Sequence, residues 1–261
     1  MSKPEQDVAL DYQQLVEENA ELKRSLEALE QDQLAAYQMQ HRLLPTNLTL
    51  VEGFRLNYLL QPALHLSGDF LDFWSPQPNK LVFYIADVSG SGSASALVTI
   101  LLRYLLKKYT SQGELSPAEL CARVNKELLA SGLEKHITLV LGCLDIPTKK
   151  LTYTLAAHLP VPLIVGENEV KELEGEGLPV GLFPGAAYKD YTCTFPEQGK
   201  LCMASDGVLE VLPGQGLQAR QQEWQQLVAA TGGDVETLLQ RLANPQVGWP
   251  DDVTLMTLSG C

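Results

Sequence analysis

The chain contains no uninterrupted apolar run near the ~18 residues that suggest a membrane span, and its polar N-terminus lacks the hydrophobic stretch of a signal peptide. These absences point to a cytoplasmic protein without a membrane partner. Basic residues are few as well: 19 Lys and Arg stand against 32 Asp and Glu, for a formal net charge of −13. Such a field repels nucleic-acid phosphates and anionic headgroups, which argues against a nucleic-acid partner or a membrane-surface role. The five cysteines, Cys121, Cys143, Cys193, Cys202 and Cys261, are odd in number and form no C-x-x-C pair, so neither a disulfide framework nor a zinc site is expected. Cys143, Cys193 and Cys202 fall within strand-like runs and read as small buried hydrophobes. Of the four histidines, His41, His65 and His136 have no spacing that implies a site. Internal repeats and low-complexity tracts are missing too. What remains is ordinary globular material: 261 residues, 45% of them hydrophobic, can bury a sizeable core without covalent staples.

Residues 12 to 43 read as one long helix. Leu15, Leu22, Leu29, Ala36 and Leu43 recur every seven residues, with Tyr12, Asn19, Leu26, Gln33 and Gln40 as the second seam. With the leucines at d, Asn19 occupies an a position, the polar type that fixes register in a parallel two-stranded coiled coil. The expectation is a homodimer through residues 12–43, the alternative being a helix that folds back on its own chain. Gln33 and Gln40 would weaken the seam as it nears the body of the protein. Pro45 stops the helix, because its ring and missing N–H disfavour continuation. The chain therefore divides into residues 1–45, a coiled-coil dimerisation and signalling helix, and residues 46–261. A sequence that opens almost directly on a coiled coil looks like an output module, with a sensor or receiver domain lying upstream.

Beyond Pro45 the period changes to that of strands. Residues 54–60, 70–74 and 81–86 alternate or run apolar between turn residues Pro76, Pro78 and Asn79. Ser93 can cap a helix over 94–109 that faces Leu97, Ile100, Leu101, Tyr104 and Leu105 to a core. A second helix starts at Ser116-Pro117 and stops at Ser131-Gly132. Strands follow at 137–144, 151–156 and 163–165, then a Gly- and Pro-rich loop over 175–185. Residues 188–195 and 200–204 read as a hairpin, 218–231 and 234–242 as helices, and 253–258 as a closing strand. Two runs of antiparallel strands with helices between and after them predict an α+β fold whose sheets are covered by helices.

Four acidic segments carry the functional signal: Ser67-Gly68-Asp69-Phe70, Ala86-Asp87-Val88-Ser89-Gly90, Ala204-Ser205-Asp206-Gly207 and Asp251-Asp252-Val253-Thr254. Each sets an Asp at or beside the end of a hydrophobic run, where a carboxylate reaches a sheet rim without being buried alone. Several such rims converging would form an all-oxygen pocket. A hard divalent cation, Mg²⁺ or Mn²⁺, is what makes gathering that many like charges sensible, and hydrolysis by an activated water is the chemistry it suggests.

The ordered set S-G-D-F-L-D-F, A-D-V-S-G-S-G, L-A-A-H-L-P, A-S-D-G-V-L-E and D-D-V-T, spanning residues 67 to 254, resembles the SpoIIE-like bacterial branch of the metal-dependent, phosphatase 2C-like (PPM-type) serine/threonine phosphatases. The resemblance implies a central antiparallel β-sandwich flanked by helices, with the site in a cleft at one end. It implies that Asp87 bridges two metal ions, that the carbonyl of Val88 is a ligand, that Asp69 serves the second ion, and that Asp206 and Asp251 serve the first. Two Mn²⁺ or Mg²⁺ ions ~3.5–4 Å apart would then acidify a water and clamp the phosphoryl oxygens, with no nucleophilic Ser or Cys required. The implied partner is a phosphorylated regulatory protein of the anti-sigma-factor-antagonist type.

Other residues have plainer readings. Asp72 reads as a further ligand or a solvated strand residue, Asp252 as orienting its neighbour, and Asp145 as turn chemistry. Gly90-Ser91-Gly92-Ser93 either presents N–H groups to a phosphate or is an ordinary helix start. His158 matches a recurrent family histidine and reads as a satisfied structural residue. No Arg stands out as a phosphate clamp. The chain also departs from the family pattern, with Ser67 and Ala157 where Gly is usual and Ser91 where His is usual. Such departures resemble the output domains of RssB-like response regulators, some of which act as adaptors on a degenerate phosphatase fold. An active phosphatase and a catalytically weak adaptor are therefore the two readings.

Overall fold

The computed structural model describes residues 3–113, 116–167, 169–243 and 248–260, with side chains from residue 12 onward. Cys261 lies outside the described residues. Helix α1 (Lys3–Leu43) comes first and stops short of Pro45 as expected. Then follow β1 (Leu50–Val51), β2 (Phe54–Gln61), β3 (Asp69–Trp74), β4 (Lys80–Val88), α2 (Ser93–Ser111) and α3 (Pro117–Ser131). The second half holds β5 (Ile137–Asp145), β6 (Lys150–Ala156), β7 (Leu163–Val165), β8 (Val170–Glu172), β9 (Tyr191–Thr194) and β10 (Lys200–Ala204), then α4 (Gly207–Val211), α5 (Leu217–Thr231), α6 (Val235–Leu242) and β11 (Val253–Gly260).

The strands form a six-stranded sheet, ordered β1-β2-β11-β10-β7-β8, and a five-stranded sheet, ordered β3-β4-β5-β6-β9. The expected α+β sandwich is what these pairings build. β4 explains the layering. Leu81, Phe83 and Ile85 point between the sheets, where they meet Leu56, Leu201, Met203 and Met256 of the other sheet. The alternate residues Val82, Tyr84 and Ala86 pack outward on Val98, Leu102 and Leu106 of α2 and Leu120 and Val124 of α3. With both faces covered, the strand reads as one continuous apolar run. On the far side, Leu163, Cys202 and Leu255 pack against Trp224 and Val228 of α5 and Leu238 of α6.

Three expectations need correction. Residues 188–195 and 200–204 are not a hairpin: β9 pairs with β6 in one sheet and β10 with β7 and β11 in the other. The chain crosses between sheets there, and the buried Phe195 packs in the inter-sheet core. The cap of α2 is Gly92, with no side-chain hydrogen bond, and Ser93 is already helical. The core face of α2 is also different. Val98, Leu102, Leu105, Leu106 and Tyr109 are buried, while Leu97 and Tyr104 are 65% and 60% exposed. Apolar residues run most of the way round this helix, so periodicity does not select a face. The short elements β1, β8 and α4 carry too few residues to show a period.

Among the described side chains, helix α1 docks by its C-terminal end. Leu15, Leu22 and Leu29 are 62%, 64% and 54% exposed, so this stretch does not fold back on the chain. Gln40, assigned by the heptad to a seam, is instead buried against the body.

Candidate active site

Two strand ends from each sheet meet at one rim of the sandwich. Asp69 opens β3 and lies directly opposite Asp87, near the end of β4, in the antiparallel register. In the other sheet β10 and β11 pair so that Ala204 faces Leu255, which brings Asp206, just after β10, and Asp251, just before β11, to the same end. A hydrogen bond joins the sheets: Thr254 Oγ1 donates to Asp69 Oδ2 at 2.6 Å. Ser205 Oγ accepts from the Thr254 amide at 2.9 Å, tying the β10 and β11 ends. α4 begins so close to this join that a Cβ on Gly207 would stand 2.0 Å from the Asp252 carbonyl, which requires glycine there.

The loop leading into β3 is held from three sides. Asp252 Oδ1 accepts from the Ala63 amide at 2.8 Å and its Oδ2 from the Gly68 amide at 2.7 Å. Asp252 thus organises a whole loop, beyond the neighbour it was expected to orient. Gly68 lies against the end of β4, where a Cβ would come 2.9 Å from the Val88 carbonyl oxygen. Ser67, which replaces a usual glycine, accepts on Oγ from the Asp69 amide at 3.0 Å. Behind it, Gln40 Nε2 donates to the Ser67 carbonyl at 2.8 Å and to Thr99 Oγ1 at 3.1 Å, and Gln40 Oε1 accepts from the Ser67 amide at 3.3 Å. The end of α1 is thereby tied to the segment that positions Asp69.

The electrostatics are those of a like-charge cluster. Burial, then Asp87, raises Asp69 well above the usual carboxylate range, against hydrogen bonds from Ser205 and Thr254. Asp87 is pushed up to about 7 by burial and by Asp206, Asp251 and Asp252. Asp206, more open to solvent, is raised by partial burial and by Asp251. Among the described residues none of these carboxylates is in an ion pair. Nor, among the described residues, do three His, Cys, Asp or Glu side chains stand close enough to enclose one ion. The donor set still suits a hard divalent cation: all oxygen, mutually repelling and without a positive partner.

Other candidates lie outside the cluster. Asp72 is buried in an ion pair with Arg103 Nε at 2.9 Å and Lys107 Nζ at 3.0 Å, so it joins β3 to α2 and is not a solvated strand residue. His158 is buried, with Nε2 2.9 Å from the Ala204 carbonyl and Nδ1 3.1 Å from Thr138 Oγ1; burial lowers it to about 4, which keeps it neutral as a strut. Asp145 accepts from Thr148 in its turn, as expected. At the start of the Gly90–Ser93 loop, Ser95 Oγ donates to the Gly90 carbonyl at 2.8 Å, and Lys135 Nζ donates to the carbonyl of the preceding Ser89 at 2.7 Å. Lys135 and Gln40 had no functional signal in the sequence beyond being polar.

The profile of the family described as Stage II sporulation protein E (SpoIIE) matches residues 77–259, a span that takes in Asp87, Asp206 and Asp251 and begins beyond Asp69. Phosphoserine phosphatase RsbU of Bacillus subtilis (strain 168) is 23% identical over 206 residues, covering 78% of this chain and 61% of that protein. Regulator of RpoS of Escherichia coli (strain K12) is 29% identical over 180 residues, covering 66% of this chain and 52% of that protein. The chain thus spans roughly half to three fifths of these relatives. The solved SiaA-PP2C domain of Pseudomonas aeruginosa superposes with a TM-score of 0.75 at 19% identity, over 91% of this chain and 99% of that one, a likeness of fold.

Proposed function

Because this chain belongs to the SpoIIE family, we propose that it is a metal-dependent protein serine/threonine phosphatase of bacterial signalling. The observation that carries the reading is the convergence of Asp69, Asp87, Asp206 and Asp251 at one sandwich rim without a compensating cation. These carboxylates and the Val88 carbonyl would hold two Mn²⁺ or Mg²⁺ ions, with Asp87 between them. When bound, such ions lower the pKa of a coordinated water and neutralise phosphoryl oxygens in an in-line displacement.

The chain's own contribution is placement. Thr254 and Ser205 hold the Asp69 carboxylate, Asp252 holds the loop before it, and Gln40 and Ser67 fix its backbone. The buried cysteines offer no nucleophile, since burial pushes the Cys202 thiol up to about 12 and raises Cys121 as well. The proposed substrate is a phosphorylated regulator of the anti-sigma-factor-antagonist type, in keeping with RsbU being named a phosphoserine phosphatase. The exposed leucines of α1 support a homodimer through residues 12–43, a helix through which an upstream sensor would couple.

The adaptor reading is kept by one observation: Regulator of RpoS, a relative not named as a phosphatase, is 29% identical over 66% of this chain, against 23% over 78% for RsbU. Release of phosphate from p-nitrophenyl phosphate decides between them. A phosphatase shows Mn²⁺-dependent turnover that chelation abolishes; an adaptor shows none at any Mn²⁺ concentration.

A further inference from the structure

Beside Asp206 the surface is hollowed into a cavity of about 360 Å³. Leu159, Leu209 and Leu217 give it apolar walls, Glu210 adds a second carboxylate, and Arg220 is the single cation in its lining among the described residues. Arg220 is poorly satisfied. Its Nη1 reaches Glu210 Oε1 at 3.4 Å, the outer limit of a hydrogen bond. Its Nε is shielded from water and has no hydrogen-bond partner among the described residues. A guanidinium is a pure donor, and with its side chain one third exposed and only one long contact to Glu210, its outer N–H groups are open to an acceptor entering the cavity. Sequence alone singled out no arginine; α5 delivers this one to the rim.

Asp206 belongs to both the carboxylate cluster and the cavity, so a phosphoryl group at the cluster sets the residues flanking its serine or threonine over the hollow. Asp206 and Glu210 disfavour an acidic occupant, and the leucines favour an apolar one. We infer that this cavity receives the polypeptide segment flanking the phosphorylated residue of the protein substrate, with the outer, part-exposed N–H groups of the Arg220 guanidinium donating to a main-chain carbonyl and an uncharged side chain packed on Leu159, Leu209 and Leu217. The inference rests on the phosphatase reading and adds a specificity site to it.

The test uses the full chain with Mn²⁺, p-nitrophenyl phosphate as a substrate without flanking peptide, and phosphoserine peptides carrying Leu or Asp at each flanking position. Wild type should favour Leu over Asp at one flank by roughly tenfold in kcat/KM. In Arg220→Gln the ratio of phosphopeptide to p-nitrophenyl phosphate kcat/KM should fall roughly five- to tenfold, mostly through KM. Leu217 is half exposed, so Leu217→Glu tests the apolar wall without relying on the core, and should erase the preference for Leu. If both variants lose the two substrates in parallel, or wild type has no flank preference, the specificity site is overturned while the phosphatase reading stands. If wild type turns over neither substrate, the phosphatase reading fails and takes this inference with it.

Discussion

Asp87 concentrates the electrostatic cost of the site in one side chain. Its folded pKa of about 7 lies above the ordinary carboxylate value, so the folded, metal-free protein keeps a proton that the unfolded chain releases. Stability from this group is therefore full below the ordinary value near pH 4 and is lost as pH rises through 7, a difference on the order of 4 kcal/mol as an upper bound. Thermal melts in chelator should show the midpoint falling between pH 5 and 8. Asp87→Asn should flatten that fall and melt higher than wild type at pH 8, while Mn²⁺-dependent turnover drops on the order of a hundredfold or more. A variant that melts no higher, or keeps its turnover, removes Asp87 from the centre of the cluster. Asp72 makes the contrasting case. Asp72→Asn leaves Arg103 and Lys107 without their carboxylate and should cost about 1–3 kcal/mol, discounted because both cations are partly exposed. Denaturant titration should register that loss, with turnover per folded molecule little changed.

Helix α1 presents an exposed apolar stretch and a docked end, and separate substitutions address them. Leu22 and Leu29 present an exposed stripe, and each leucine removed from a packed seam typically costs ~2–5 kcal/mol. Sedimentation should find wild type dimeric at tens of micromolar and Leu22→Ala with Leu29→Ala monomeric; a monomeric wild type would end the coiled-coil proposal. Gln40 is different, because its amide satisfies both main-chain groups of Ser67 and the Thr99 hydroxyl inside the protein. Gln40→Leu would leave the Ser67 amide and carbonyl unpaired at ~1–3 kcal/mol each, while Thr99 keeps its bond to Ala96, so it cannot be a simple seam-strengthening change. The expected outcome is a lower melting midpoint and a several-fold higher Mn²⁺ concentration for half-maximal activity. Gln33→Leu, which touches none of these partners, should leave the Mn²⁺ titration where it was.

For the molecule as a whole, a net charge of −13 and a rim of carboxylates unpaired among the described residues lead the proposed function to predict that divalent cations stabilise the folded state. Mn²⁺ should raise the melting midpoint by mass action, and more at pH 8 than at pH 5.5, where Asp87 must first give up its proton. Equal shifts at both pH values would mean that binding does not involve the raised carboxylates. Much of this architecture was legible beforehand because it is written in local terms. Strand alternation, the Ser116-Pro117 and Gly132 helix boundaries, the Pro45 stop and the Asp residues at strand ends depend on chain neighbours, whose chemistry a sequence displays directly. Other features were settled only when distant segments met. Which sheet β9 and β10 join, which face of α2 is buried, and where Arg220 and the Asp72 ion pair fall are contacts between elements. Gln40 finds its partners 27 and 59 residues away, a separation over which no periodicity carries information. Heptad spacing fixed where that glutamine stands on its helix, but packing against Ser67 and Thr99 decided what it does, since a buried amide takes whatever donors and acceptors the fold brings to it.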